Sequence, residues 1–209
     1  DFWISLAEAE MRSDQKYKAL SSLDEAIKLN PKEQDIYFTK ASIYMDLNNP
    51  KKAKAYIKKG LSINKNSEIG YFQLGNAEMM LNNYQSALFA FQESSKINGK
   101  FWQSINNEGL VLYELDKPNA AILKFKKALK ISNNAEPMLA LGVVLFSSDN
   151  NSSESIKLAT KALSSNPLYV STNYQAKQLW GEKLQRSTKL LFKRKEMKKV
   201  VIKAKEKSK

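Results

Sequence analysis

The side chains that carry most protein chemistry are missing from this sequence. Its 209 residues include no Cys and no His. Disulfides and thiolate nucleophiles are therefore impossible, and the commonest general base and metal ligand is absent. Zinc needs one of these residues in nearly every known site. Carboxylates remain, so composition alone leaves a carboxylate-only hydrolase or a magnesium site open. Acids such as Asp46 and Glu114 are present, but no pair stands at a fixed spacing with a third group to position it. We expect a non-catalytic chain with no cofactor and no metal, whose chemistry is recognition.

Charge offers one kind of recognition. The formal net charge is +13, yet residues 189–209 hold ten basic residues against Glu196 and Glu206, a net of +8 that leaves +5 for the rest. Lys193, Arg194, Lys195, Lys198 and Lys199 are its densest part. A solvated or frayed helical tail, attraction to an anionic membrane surface and a nucleic-acid contact are the three readings. Against the last, Phe192 is the one aromatic of the stretch, too few for a stacking platform. No run of about 18 apolar residues is present to span a membrane as a helix.

The elements that must position any recognition surface show as an internal repeat of 34 residues. Small residues recur at Ala7, Ala41, Gly75 and Gly109, then at Gly142, one residue early. A second set is Ala19, Ala53, Ala87, Ala121 and Ser155, and a third is Ala26, Gly60, Ser94, Ala128 and Ala162. Apolar series run in the same period: Leu47, Leu81, Leu115; Leu23, Ile57, Phe91, Phe125; Leu29, Ile63, Ile97, Ile131. Within a unit the spacing is that of two helices. Tyr71, Leu74, Gly75 and Glu78 lie on one stripe, the pair Asn82-Asn83 makes a turn, and Ala87, Leu88, Phe91, Ser94 and Ile97 continue. Pro50 and Pro118 stand where a second helix would begin, a position that tolerates a missing N–H. Small residues in both helices set a close, identical crossing in each unit, and all these positions are expected to be core.

The pattern Trp3…Leu6-Ala7…Ala19…Leu23…Ala26…Pro31 resembles the tetratricopeptide repeat (TPR). So do Tyr37…Ala41…Tyr44…Ala53…Ile57…Gly60 and Leu74-Gly75…Tyr84…Ala87…Phe91. The resemblance covers about 1–168 in five units: 1–33, 34–67, 68–101, 102–134 and 135–168. Lys40 and Glu108 depart from it by replacing a large apolar residue, and Lys65, Gly99 and Asn133 by replacing a Pro. The fifth unit carries a longer turn around 147–153. The implied fold class is all-α, a right-handed superhelical solenoid of about five helix–turn–helix units. A capping helix is expected at 169–192, with Trp180 in its core, and a Lys-rich tail at 193–209.

In TPR proteins the first helix of each pair lines a concave groove. The resemblance places Met11, Met45, Met79 and Tyr113 there, with Phe38, Phe72 and Asn106, and with Ser42, Asn76 and Leu110. This is a ribbon of thioethers and aromatics with amides between, suited to variable apolar partners. It fits another protein's amphipathic helix or extended peptide. TPR domains that bind chaperone C-termini clamp the carboxylate with Lys, Arg and Asn. Asn76 and Asn107 match the Asn positions, but Phe72, Glu136 and Ala140 stand where cations belong, so an acidic tail has no strong partner here.

The expected function is a protein-interaction scaffold or assembly factor. A peripheral membrane adaptor using the basic tail is the alternative, and a nucleic-acid contact through it a second. The run Leu179-Trp180-Gly181-Glu182-Lys183-Leu184 resembles the cap of some cyanobacterial TPR proteins, several of which assist photosystem assembly. The register begins at once, with Trp3 in a core position after Asp1, so we expect a piece of a longer product. Location reads as cytoplasmic or membrane-peripheral, with an upstream targeting segment still open; oligomeric state is not legible.

Overall fold

The computed structural model describes residues 2–149 and 152–208. The ten helices up to Ser165 pair into hairpins that follow the 34-residue register, with the fifth hairpin starting one residue early. First helices are α1 (Phe2–Arg12), α3 (Gln34–Asp46), α5 (Glu68–Met80), α7 (Trp102–Glu114) and α9 (Ala135–Asp149). Second helices are α2 (Lys16–Leu29), α4 (Pro50–Ile63), α6 (Tyr84–Ile97), α8 (Pro118–Ile131) and α10 (Ser152–Ser165). The chain divides into two compact units, residues 1–97 with three hairpins and 98–209 with two hairpins and the C-terminal elements.

The turns repeat down to single torsions. Asp14, Asn48, Asn82 and Asp116, each 34 residues from the next, have φ of 56°, 54°, 58° and 59°. Asn and Asp are the non-glycine residues that tolerate this left-handed region best. The residue after each closes the same six-residue loop: Gln15, Asn49, Asn83 and Lys117 donate to Glu10, Tyr44, Glu78 and Leu112 carbonyls at 2.7–2.9 Å. That satisfies carbonyls the first helix leaves open. The second helix then starts at once, and at Pro50 the Asn49 side chain accepts from the Lys52 N–H. The long turn expected at 147–153 falls partly on 150–151, outside the described residues.

The small residues do what the sequence implies. A Cβ added to Gly75 would sit 2.6 Å from Cδ1 of Phe91, and one on Gly109 2.6 Å from Cε1 of Phe125. In these two hairpins the first helix thus rests directly on an aromatic of its second. The departures Lys40 and Glu108 are buried and paired: Lys40 with Asp24 and over the Tyr56 ring at 4.9 Å, Glu108 with Lys124 at 2.5 Å. One apolar series is not core. Leu29, Ile63 and Ile131 are exposed, because they end their helices beyond the crossing point.

The C-terminal reading needs correction. The single capping helix expected at 169–192 is a 3₁₀ turn (Pro167–Val170), a short helix α11 (Thr172–Lys177) and α12 (Glu182–Phe192). The break falls at Leu179, a bulky residue at φ 61°, beside the buried Trp180. The Lys-rich tail is not frayed. It forms a 3₁₀ turn (Lys195–Met197) and α13 (Lys198–Lys207), with Met197 and Ala204 buried. It is α13 that packs on α10, while α12 packs on α9 and α7.

Candidate peptide-binding face

The first-helix stripe differs between the two units. In residues 1–97 several of its side chains keep partial exposure. Met11 and Met45 are half-buried, each edging a core cluster. Ser42 accepts a hydrogen bond from Gln73 Nε2 at 2.9 Å, which ties α3 to α5. Phe72 and Asn76 are also half-buried, and the Phe72 ring lies 5.9 Å from that of Phe91. Phe38 and Met79 do not face outward: they are 3% and 6% exposed. The Phe38 ring fills the space left by two missing side chains, 2.5 Å from where Cβ atoms of Gly60 and Gly70 would stand. Its position beside the core stripe becomes core because the next hairpin supplies Gly70.

In residues 98–209 the stripe is covered. Asn106, Asn107, Leu110 and Tyr113 of α7 are all buried, and α12 packs on α7 and α9. The docked helix is amphipathic: Leu184, Thr188 and Leu191 are buried at i, i+4, i+7, while Glu182, Arg186 and Lys189 are exposed. Its contacts are polar as well as apolar. The Tyr113 hydroxyl sits 2.8 Å from both Ser147 Oγ and Ser187 Oγ, bridging α9 and α12. The Lys183 ammonium lies 4.6 Å above the Tyr113 ring and pairs with Asp116. The Glu114 carboxylate accepts the Lys183 N–H at 3.2 Å and the Leu184 N–H at 3.0 Å, at the start of α12.

Trp180 seals one end. It is 3% exposed, and its Nε1 donates to Glu136 Oε1 at 3.0 Å. Burial pushes the Glu136 carboxyl up to about 7, against the pull of hydrogen bonds from Trp180, Asn106 and Tyr169. Burial also raises the Tyr169 phenol above its ordinary value, helped by the negative charge of Glu136. A carboxyl near neutrality can serve acid–base chemistry, but this one is spent on closing the indole into the fold. Glu114, Ser147, Ser187 and Lys183 were not legible as contacts, because their partners are remote in sequence and leave no local pattern.

The basic residues Lys193, Arg194, Lys195, Lys198 and Lys199 are exposed, with Arg194 paired to Glu196 at 3.2 Å. No helix among the described residues is long and apolar enough to cross a membrane.

Residues 34–67 match the tetratricopeptide repeat family. No curated protein matches the sequence. Among solved structures the chain is similar to MamA, with a TM-score of 0.68 at 21% identity over 82% of this chain and 96% of that one. It is similar to PilF of Pseudomonas aeruginosa, with a TM-score of 0.70 at 17% identity over 97% and 96%. It is also similar to YrrB, a TPR protein described as having an unusual peptide-binding site, with a TM-score of 0.62 at 18% identity over 88% and 97%. This all-α chain of hairpins in a 34-residue register, one of them matched by the tetratricopeptide repeat family, has the fold of the tetratricopeptide-repeat structures it is similar to.

Proposed function

We propose that this chain is a protein-interaction scaffold that holds an apolar helical or extended segment of another protein on the first-helix stripe of residues 1–97. The observation that carries the reading is α12. Asn106, Asn107, Leu110 and Tyr113 of α7 are buried, the chain's own amphipathic helix packs on α7, and the Tyr113 hydroxyl meets Ser187 of that helix. In the repeat before, those positions are Phe72, Gln73, Asn76 and Met79, and before that Phe38, Thr39, Ser42 and Met45. Side chains in this register therefore support helix docking, and Met11, Ser42, Met45, Phe72 and Asn76 keep the exposure a client needs. Thioethers there adapt to varied apolar shapes because they are unbranched and polarisable. The stripe of residues 98–209 is taken, so the client belongs on residues 1–97.

The test is affinity purification of the full chain from its own cells, comparing wild type with Met11→Glu/Met45→Glu. Both residues are partly exposed, so the fold survives, which a melting curve checks. Two carboxylates on an apolar stripe should cost about 3 kcal/mol of binding, more than a hundredfold in affinity. An unchanged set of partners from a normally folded variant sinks the proposal.

A further inference from the structure

We propose that the groove between α10 and α13 binds the phosphate headgroup of an anionic phospholipid. The 3₁₀ turn and α13 are fixed to the repeats: Met197 is fully buried with Thr160 Oγ1 3.9 Å from its sulfur, and Ala204 is 3% exposed. Beside this seam runs a groove of about 310 Å³. Leu163, Val200 and Ala204 make its apolar floor, and Thr160 and Ser164 line the α10 side. Along the α13 side stand Lys199, Lys203 and Lys207, one helical turn apart.

Three features point to an anion. Lysines at i, i+4, i+8 repel one another, a cost to the helix that a bound anion removes. None of the three takes part in an ion pair among the described residues, whereas Lys40, Lys54, Lys124 and Lys183 each hold a carboxylate. No carboxylate lines the groove. Two features select a lipid. The apolar floor lies next to the cations, where the glycerol and first acyl carbons would follow a headgroup phosphate; a free phosphate leaves it unused. No aromatic lines the groove to stack a base, which disfavours nucleic acid. This inference does not depend on the client-binding stripe of residues 1–97.

The experiment is co-sedimentation of the full chain with phosphatidylcholine vesicles, with and without phosphatidylglycerol. Binding is expected only to the anionic vesicles. Lys203→Ser should weaken it about fivefold, the effect of one lysine held at an anionic surface. Lys205→Ser, exposed on α13 but outside the groove, should leave it unchanged. Equal losses from the two variants would reduce the effect to diffuse charge and overturn the site. So would an absence of vesicle binding, displacement by inorganic phosphate at millimolar concentration, or binding of a single-stranded oligonucleotide in place of vesicles.

Discussion

Glu114 closes α7, yet its carboxylate acts as the N-cap of a helix that begins about seventy residues later. A helix leaves its first N–H groups without intrahelical partners, and a side chain at the cap position commonly accepts from the second or third. For α12 the cap residue is Gly181, which has no side chain. Glu114 supplies both acceptors instead, taking the N–H groups of Lys183 and Leu184 at 3.2 and 3.0 Å. Its charge also meets the positive end of the helix dipole. Losing an ordinary cap costs about 1 kcal/mol, and stranding donors that held a charged acceptor costs about 1–3 kcal/mol. We expect Glu114→Ala to cost about 2 kcal/mol, and Glu114→Gln less, since an amide oxygen still accepts. At about 2–4 °C per kcal/mol for a chain of this size, the alanine variant should melt about 4–8 °C lower. Gly181→Ala should act through the same contact, because its Cβ would stand 2.6 Å from Glu114 Oε1. The double variant should then cost little more than the dearer single one. Thermal unfolding gives the total, and hydrogen exchange at Lys183 and Leu184 localises it. Unchanged protection of those two amides in Glu114→Ala, or a loss below about 0.5 kcal/mol, would refute the reasoning.

Three further outcomes follow from the packing. The Glu136 carboxyl, raised from 4.5 to about 7, keeps its proton in the folded chain at pH values where the unfolded chain has lost it. Its stabilising share is therefore complete below about pH 4.5 and disappears as pH rises to about 7, a loss on the order of 2–3 kcal/mol. Glu136→Gln should flatten that slope, and Trp180 fluorescence against pH should lose its midpoint; an unchanged titration refutes this. Gly75→Ala forces a methyl group against the buried Phe91 ring and should destabilise by about 1–2 kcal/mol in a urea melt, the overpacking cost exceeding the helix-propensity gain. Phe91→Leu in the same chain should recover part of it. Lys40→Met puts an apolar residue back in a buried position and frees Asp24, itself 56% exposed, to hydrate. Stability should be equal or higher by about 1 kcal/mol; a loss of that size would show the ion pair to be net stabilising.

How much was legible follows from the range of each interaction. The sequence alone determined the all-α class, the hairpin period and the turns. These rest on local physics: apolar spacing at 3.6, Asn or Asp where φ is positive, Pro at a helix start, a small residue under each crossing. Such signals lie within a few residues of what they specify, and their recurrence from unit to unit makes them hard to misread. Tertiary structure decided what each buried face meets. Leu184, Thr188 and Leu191 mark α12 as amphipathic, but nothing near them says that they cover α7 and α9, because the cap, the hydroxyl bridge and the Trp180 acceptor come from Glu114, Tyr113 and Glu136. Phe38 sits among predicted groove residues and is buried because Gly60 and Gly70 leave room for its ring. Lys40 and Glu108 broke the repeat pattern, and only their partners Asp24 and Lys124 make those breaks tolerable. The basic tail counted as charge in the sequence; Met197 and Ala204 turn it into a fixed helix, since two buried contacts with α10 outweigh what the nine lysines and arginines of residues 193–209 say about solvation.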